Sequence, residues 1–330
     1  MAILVTGGAG YIGSHTVREL VEDGRDVVVY DNLSRGHREA VGEGTPLVVG
    51  DINDYIKLKE TMQKYAIDSV IHFAAESQVG ESMANPEKYY FNNVVGTLNL
   101  LKAMKDCDVK KIVFSSSAAV YGEPQEIPIT ERCPKNPTSV YGRTKLMVEK
   151  ILVDYDVAYG IRHVALRYFN AAGAHVSGEI GEDHTPETHL IPIIMEVALG
   201  KRDKIKIFGT NYPTPDGTCI RDYIHVTDLA KAHILALDWL INGGPSRAYN
   251  LGNEKGFSVL EVIETVERIT GIKIPREDTS RRLGDPAVLI ASSKKITDEL
   301  GWIPRYTTLD DMVKTAWNWH SKNPNGFNDK

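Results

Sequence analysis

The first half of the chain is built from short, uninterrupted apolar runs separated by stretches of helical period. This rhythm limits the possible folds more than any other feature of the sequence. The runs are Ala2–Thr6, Val27–Asp31, Leu47–Asp51, Ser69–Ala74, Lys111–Ser115 and His163–Arg167. They are rich in Val and Ile and do not alternate with polar residues, which is the pattern of strands buried on both faces. Helical patterns lie between them at Ile12–Asp23, Tyr55–Tyr65, Pro86–Lys105 and Ser139–Tyr159. Such alternation builds right-handed βαβ units, so the sequence predicts an α/β fold with a doubly wound parallel sheet of the Rossmann type. After Asn170 the rhythm changes. Residues 171–189 and 210–218 read as loop, followed by helices at Val226–Ile241, Ser258–Thr270 and Leu309–Ser321. Ser258 and Glu261 are spaced as a capping box. The division expected is a Rossmann domain over residues 1–170 and a smaller C-terminal α/β region over 171–330, partly woven back into the sheet. Asn323–Lys330 reads as a fraying tail.

Composition narrows the partners. The chain has 330 residues and a net charge of -6. It has no basic block, which argues against a phosphate-tracking nucleic-acid surface. Cys107, Cys133 and Cys219 are widely spaced and odd in number, so neither a disulfide framework nor a metal-binding pair is legible. The short apolar start and the lack of a membrane-length apolar run give the expectation of a soluble, cytoplasmic protein.

The segment Val5–Gly13, VTGGAGYIG, links the first strand to the first helix. Gly7 and Gly10 let the backbone turn tightly and approach a pyrophosphate. Gly13 lets the helix pack closely, and the helix N-terminus receives the phosphate. A glycine loop alone is a weak signal, but its place between strand and helix strengthens it. Asp31, at the end of the second strand, suits the adenosine ribose and opposes a 2′-phosphate, which favours NAD over NADP. Arg35 is the one nearby residue that argues the other way. Asp51 and Ile52, after the third strand, are placed to flank the adenine.

Tyr141 and Lys145 are four residues apart at the start of a helical pattern, on one face. A Tyr base at neutral pH needs its pKa lowered by roughly 3 units from about 10, or about 4 kcal/mol. The Lys145 ammonium and a cationic nicotinamide can both favour the phenolate. Ser115-Ser116-Ser117 ends the fifth strand, where parallel sheets place their ligands, and Ser117 can share the same substrate hydroxyl. Each feature alone has a bland explanation as turn, core or polar loop. Their conjunction in this order points to hydride chemistry at a hydroxyl.

These residues resemble the extended short-chain dehydrogenase/reductase family, and within it the UDP-hexose 4-epimerases. The strings that carry the resemblance include TGGAGYIGSH at 6–15, NNVVGT at 92–97, YGRTK at 141–145, LRYFNAAGAH at 166–175, YPTPDGTCIRDYIHV at 212–226 and RRLGD at 281–285. The resemblance implies interconversion of UDP-galactose and UDP-glucose through a transient 4-keto sugar with tightly bound NAD. It makes Tyr141 the catalytic base, Ser117 its partner and Lys145 the ribose-binding residue. Tyr11, Ile12, Asn32, Phe73, Ala74, Ala75, Ser77, Asn92, Ser115, Tyr168 and Phe169 would join the glycines, Asp31, Asp51 and Ile52 around NAD. Asn170, His189, Leu190, Ile207, Phe208, Arg221, Tyr223, Arg282, Asp285 and Leu289 would hold the UDP-sugar. A diphosphate needs cationic donors, and Arg221 and Arg282 supply them in an acidic half.

Two positions depart from the family pattern. Ser77 stands where many relatives carry Lys, and His189 where many carry Asn. Leu289 occupies a position that bears on sugar size, and its intermediate bulk implies partial acceptance of N-acetylhexosamines. A 4,6-dehydratase of the same fold would carry carboxylates after Ser117, where this chain has Ala118-Ala119. A non-catalytic NAD sensor has no need of the Tyr141/Lys145 pair. A metal site can be drawn from Glu182, Asp183, His184 and His189. Hydride chemistry needs no metal, however, and a solvated acidic loop accounts better for Glu182 and Asp183. The resemblance also implies a homodimer through Pro86–Lys105 and Ser139–Tyr159, with Phe91, Val94, Leu98 and Leu101 on the first.

Overall fold

The computed structural model describes residues 2–282 and 285–328. Leu283 and Gly284 of the RRLGD string and the last two residues of the tail lie outside the described residues. Seven strands form one parallel sheet in the spatial order Arg247–Leu251, Arg162–Tyr168, Lys111–Ser115, Ile67–His72, Ala2–Thr6, Asp26–Asp31, Leu47–Val49. The first three strands in the chain run outward on one side of Ala2–Thr6, and Ile67–His72 returns to its other side. The order therefore reverses beside Ala2–Thr6, where ligands of doubly wound sheets sit.

Successive residues of each strand enter opposite cores, as a period of 2 requires. Leu4, Val28, Val70 and Ile112 pack with the helices Tyr55–Lys64, Gly96–Asp106 and Val140–Tyr159. Ile3, Val5, Val29, Ile71 and Val113 pack with Val226–Ile241 and with Tyr11–Glu22. Both faces are covered, which is why the strands read as continuous apolar runs. A separate core joins the helices Leu190–Ala198, Val259–Thr270 and Leu309–Lys322.

The expected helix over Pro86–Lys105 is broken. Pro86–Tyr89 is α-helical, Tyr90–Val95 widens into a π-helical turn, and Gly96–Asp106 resumes the α-helix. The wide turn sets Asn93 inward, where its side chain accepts from the Glu76 N–H at 2.8 Å and donates to the Glu76 carbonyl at 3.0 Å. The expected fraying tail is also corrected as far as Asn328. Phe327 is buried, stacks on His37 at 4.8 Å between ring centres, and donates its N–H to Asp183 Oδ2 at 3.0 Å.

Candidate active site

The glycine loop is a built cradle. Gly7 has φ +72°, and a Cβ there would lie 2.5 Å from the Ala74 nitrogen. A Cβ on Gly13 would lie 2.1 Å from the Gly7 carbonyl oxygen, so nothing larger than glycine fits without a shift. The helix Tyr11–Glu22 starts at Gly10 with no side chain capping it, leaving its N-terminus facing the cleft. Asp31 accepts from the Ala9 N–H at 3.0 Å and the Leu33 N–H at 2.9 Å, so it also ties down the loop. Its burial pushes its pKa up, against the two N–H donors. Arg35 donates to the Thr185 carbonyl at 2.5 Å, away from the Asp31 carboxylate. These features fit a dinucleotide whose ribose carries no 2′-phosphate.

Tyr141 and Lys145 enter from the first turns of Val140–Tyr159, where Ser139 caps the Gly142 N–H at 3.0 Å. Lys145 Nζ donates to the Ser115 carbonyl at 2.8 Å and lies 5.8 Å from the Tyr141 ring centre. Tyr141 is hydrogen-bonded to Ser117. Ser117 is held by the strand behind it. Ser116 Oγ donates to Glu149 at 2.6 Å, and Arg167 forks onto the same carboxylate at 2.8 and 2.6 Å. Arg167 also donates to the Tyr121 hydroxyl at 2.8 Å, which in turn donates to Asn250 at 2.7 Å. A fully partnered buried network of this kind fixes the strand end.

Burial dominates the electrostatics of the pair. Burial raises the Tyr141 pKa, and the group that opposes this is Ser117, not Lys145. Burial also lowers Lys145 to about 7, with Glu149 working the other way. A buried ammonium without a carboxylate at contact distance gives up its proton more readily than an exposed one. A bound cationic ring would add positive charge beside the phenol to that of Lys145.

One cleft of about 990 Å³ runs from the glycine loop across the strand ends. Gly7, Gly10, Tyr11, Ile12, Gly13, Asp31, Asn32, Ile52, Phe73, Ala74, Ala75, Ser77, Asn92, Ser115, Tyr168 and Phe169 line it together with Ser117, Tyr141 and Lys145. At the other end are Asn170, His189, Leu190, Ile207, Phe208, Arg221, Tyr223, Arg282, Asp285 and Leu289. Asp51 stands outside this lining, behind Asn32, from which it accepts at 3.0 Å. Arg221 pairs with Asp285, and the Arg282 guanidinium lies over the Phe208 ring at 4.0 Å. Leu289 sits beside Arg221 through the parallel pairing of Val288–Leu289 with Ile220–Arg221.

Sequence reasoning missed part of this wall. Glu182 and Asp183 are not a solvated acidic pair: Glu182 is buried at 4% exposure with its carboxylate 2.6 Å from His189 Nδ1, and the Asp183 side chain is 9% exposed. Glu187 lies 3.4 Å from the same nitrogen and 3.7 Å from His184 Nδ1. Burial opposes the charge on both histidines, but Glu182 and Glu187 prevail. They raise His184 to about 9 and raise His189 as well. The spacing of two Glu and two His within eight residues was the available signal.

The matches to known proteins agree with this geometry. Residues 3–252 match the model of the NAD dependent epimerase/dehydratase family, and the chain belongs to that family. Among its relatives is a UDP-glucose 4-epimerase of Halalkalibacterium halodurans, 58% identical over 99% of this chain and 98% of the relative. A crystal structure of a UDP-glucose 4-epimerase superposes with a TM-score of 0.98 at 53% identity, covering 99% of each chain. The Bifidobacterium longum UDP-glucose 4-epimerase, solved with NAD+ and UDP, gives a TM-score of 0.94 at 45% identity over 99% of this chain and 100% of its own.

Proposed function

We propose that this chain is an NAD-dependent UDP-glucose 4-epimerase that interconverts UDP-galactose and UDP-glucose through a transient 4-keto sugar. The observation that carries the reading is the meeting of Tyr141, Ser117 and Lys145 midway along one cleft, between the glycine cradle and Arg221 with Arg282. The glycine cradle and Asp31 would hold NAD, which when bound would supply reversible hydride transfer at C4 of the sugar. Tyr141 takes the C4 hydroxyl proton and later gives it back, with Ser117 hydrogen-bonded to the same oxygen. Lys145 holds the nicotinamide ribose, and Asp31 the adenosine ribose. Inversion requires that both faces of the C4 carbonyl can be turned toward the same nicotinamide site while Tyr141 keeps reach of the C4 oxygen. The grip must therefore fall on the UDP and not on the hexose. Arg221 and Arg282 suit the diphosphate, and Phe208 offers a ring face to the uracil. Residues 1–170 then act as the NAD domain and 171–330 as the substrate domain.

The test is to give the purified protein UDP-galactose with no added nucleotide. UDP-glucose is the expected product. A 4-keto-6-deoxy sugar would identify a dehydratase, and no turnover would leave a binding protein. Ala118 and Ala119, which cannot assist loss of water, favour the epimerase.

We read the protein as a homodimer. Phe91, Val95, Met147 and Val153 are exposed apolar side chains on the Tyr90–Val95 turn and the Val140–Tyr159 helix, a combination suited to a helical interface. A monomer mass by light scattering would contradict this. We also read it as cytoplasmic. The three cysteines are unpaired, and no helix among the described residues is long and apolar enough to cross a membrane. Recovery in the secreted fraction would contradict that placement.

A further inference from the structure

We propose that Glu182, His184, Glu187 and His189 bind one zinc ion, which clasps the segment leading into the Leu190–Ala198 helix. One ligand atom from each residue lies within 4.8 Å of all the others. Tetrahedral zinc with bonds of about 2.0–2.1 Å sets its ligand atoms roughly 3.3–3.5 Å apart. His184 Nδ1 lies 3.3 Å from Glu182 Oε1 and 3.7 Å from Glu187 Oε2, while Glu187 Oε1 accepts from the Thr188 and His189 N–H groups at 2.7 and 2.8 Å, which leaves Oε2 as the ligand. His189 Nδ1 to Glu182 Oε1 is 2.6 Å, a hydrogen bond that an entering ion would open by under about 1 Å.

A second observation points to an ion. His184 Nδ1 is shielded from solvent and faces two carboxylates, yet makes a well-formed hydrogen bond to neither. Glu182 and Glu187 are both nearly dry, with side chains 5% exposed. Two buried carboxylates require two positive charges. Two imidazolium rings can supply them, and so can one divalent ion with both rings neutral. A set of two nitrogen and two oxygen donors selects zinc over magnesium or calcium, which take more oxygen ligands. With four protein ligands the site is closed, and its role is to hold His189 and Leu190 in the cleft wall. This inference does not depend on the epimerase reading, because its measurement is metal content and not turnover.

The test is to supply zinc to the whole protein, remove the excess by desalting and count metal by mass spectrometry. About one zinc per chain is expected, as for a structural site. His184→Ala and Glu187→Gln should each lower that content at least ~10-fold, in line with loss of a ligand. Cobalt(II) added to the unmutated protein gives a readout that does not depend on the variants folding. Intense visible bands of tetrahedral cobalt are expected. A parent protein that retains no zinc, variants that retain as much as the parent, or only the weak bands of octahedral cobalt would each overturn the assignment. So would loss of zinc in Glu22→Gln, which would move the ion to the Glu19, Glu22 and His175 cluster.

Discussion

Tyr141 sits where burial works against the ionised form, with Ser117 as its one favourable partner. The phenolic oxygen is then the atom whose removal matters most. Tyr141→Phe should lower kcat by about 10²–10⁴-fold, the usual worth of a positioned acid–base group, while the protein keeps its nucleotide. A loss under tenfold in a nucleotide-loaded variant would remove Tyr141 from the role of base. Leu289 lines the cleft, whereas Val288, one residue earlier, does not. Excluding an acetamide group by packing costs about 1–3 kcal/mol, or roughly 10–200-fold in discrimination. Leu289→Tyr should raise the preference for UDP-glucose over UDP-N-acetylglucosamine, and Leu289→Ala should lower it. The same ratio in all three proteins would show that Leu289 is not the gate. Residues of this kind were legible in the sequence because few side chains can do their chemistry: glycine at a cradle, Asp at a ribose, Tyr with Lys at a hydroxyl. Glu182 was not, because its burial depends on distant residues, including Trp319, whose ring N–H donates to the Glu182 carbonyl at 3.2 Å.

Among the elements, five of the six apolar runs were readable as strands because both of their faces are buried, and the edge strand Leu47–Val49, where Val49 is exposed, was readable from its apolar run alone. The seventh strand of the sheet, Arg247–Leu251, was not, since RAYNL at the sheet edge carries polar residues. The helix Leu190–Ala198 was hidden for two reasons. LIPIIMEVA is so apolar overall that its helical period does not stand out from a core run, and Pro192 looks like a breaker although the first turn of a helix tolerates it. The break in Pro86–Lys105 was not legible because the segment is apolar over wide arcs, so the extra residue of a π-helical turn leaves no clear gap in the pattern. The strand–loop–helix unit at the start of the chain makes the sharpest prediction at this scale. A methyl group at Gly13 would strike the Gly7 carbonyl, and overpacking of this kind costs about 1–3 kcal/mol. Gly13→Ala should therefore lose NAD roughly 5–150-fold more readily on dialysis, by that same cost. Equal NAD content and an unchanged Tm in the variant would contradict the cradle.

Over the whole molecule, the two halves of the chain are stitched across the cleft. Arg35 reaches the Thr185 carbonyl, His37 lies 3.1 Å from the Asp183 carbonyl, and Phe327 packs on His37. None of these contacts was legible beforehand, because each joins residues more than 140 positions apart whose types have no chemistry of their own to announce it. They place the sugar-nucleotide wall against the NAD cradle, and the reaction depends on that union: one resident cofactor must remove hydrogen from C4 and return it to the same carbon. The most direct test is turnover of UDP-galactose deuterated at C4, with unlabelled free NAD and NADH present. The account predicts UDP-glucose that retains deuterium at C4. Deuterium lost to water, or found in the free NADH, would contradict it.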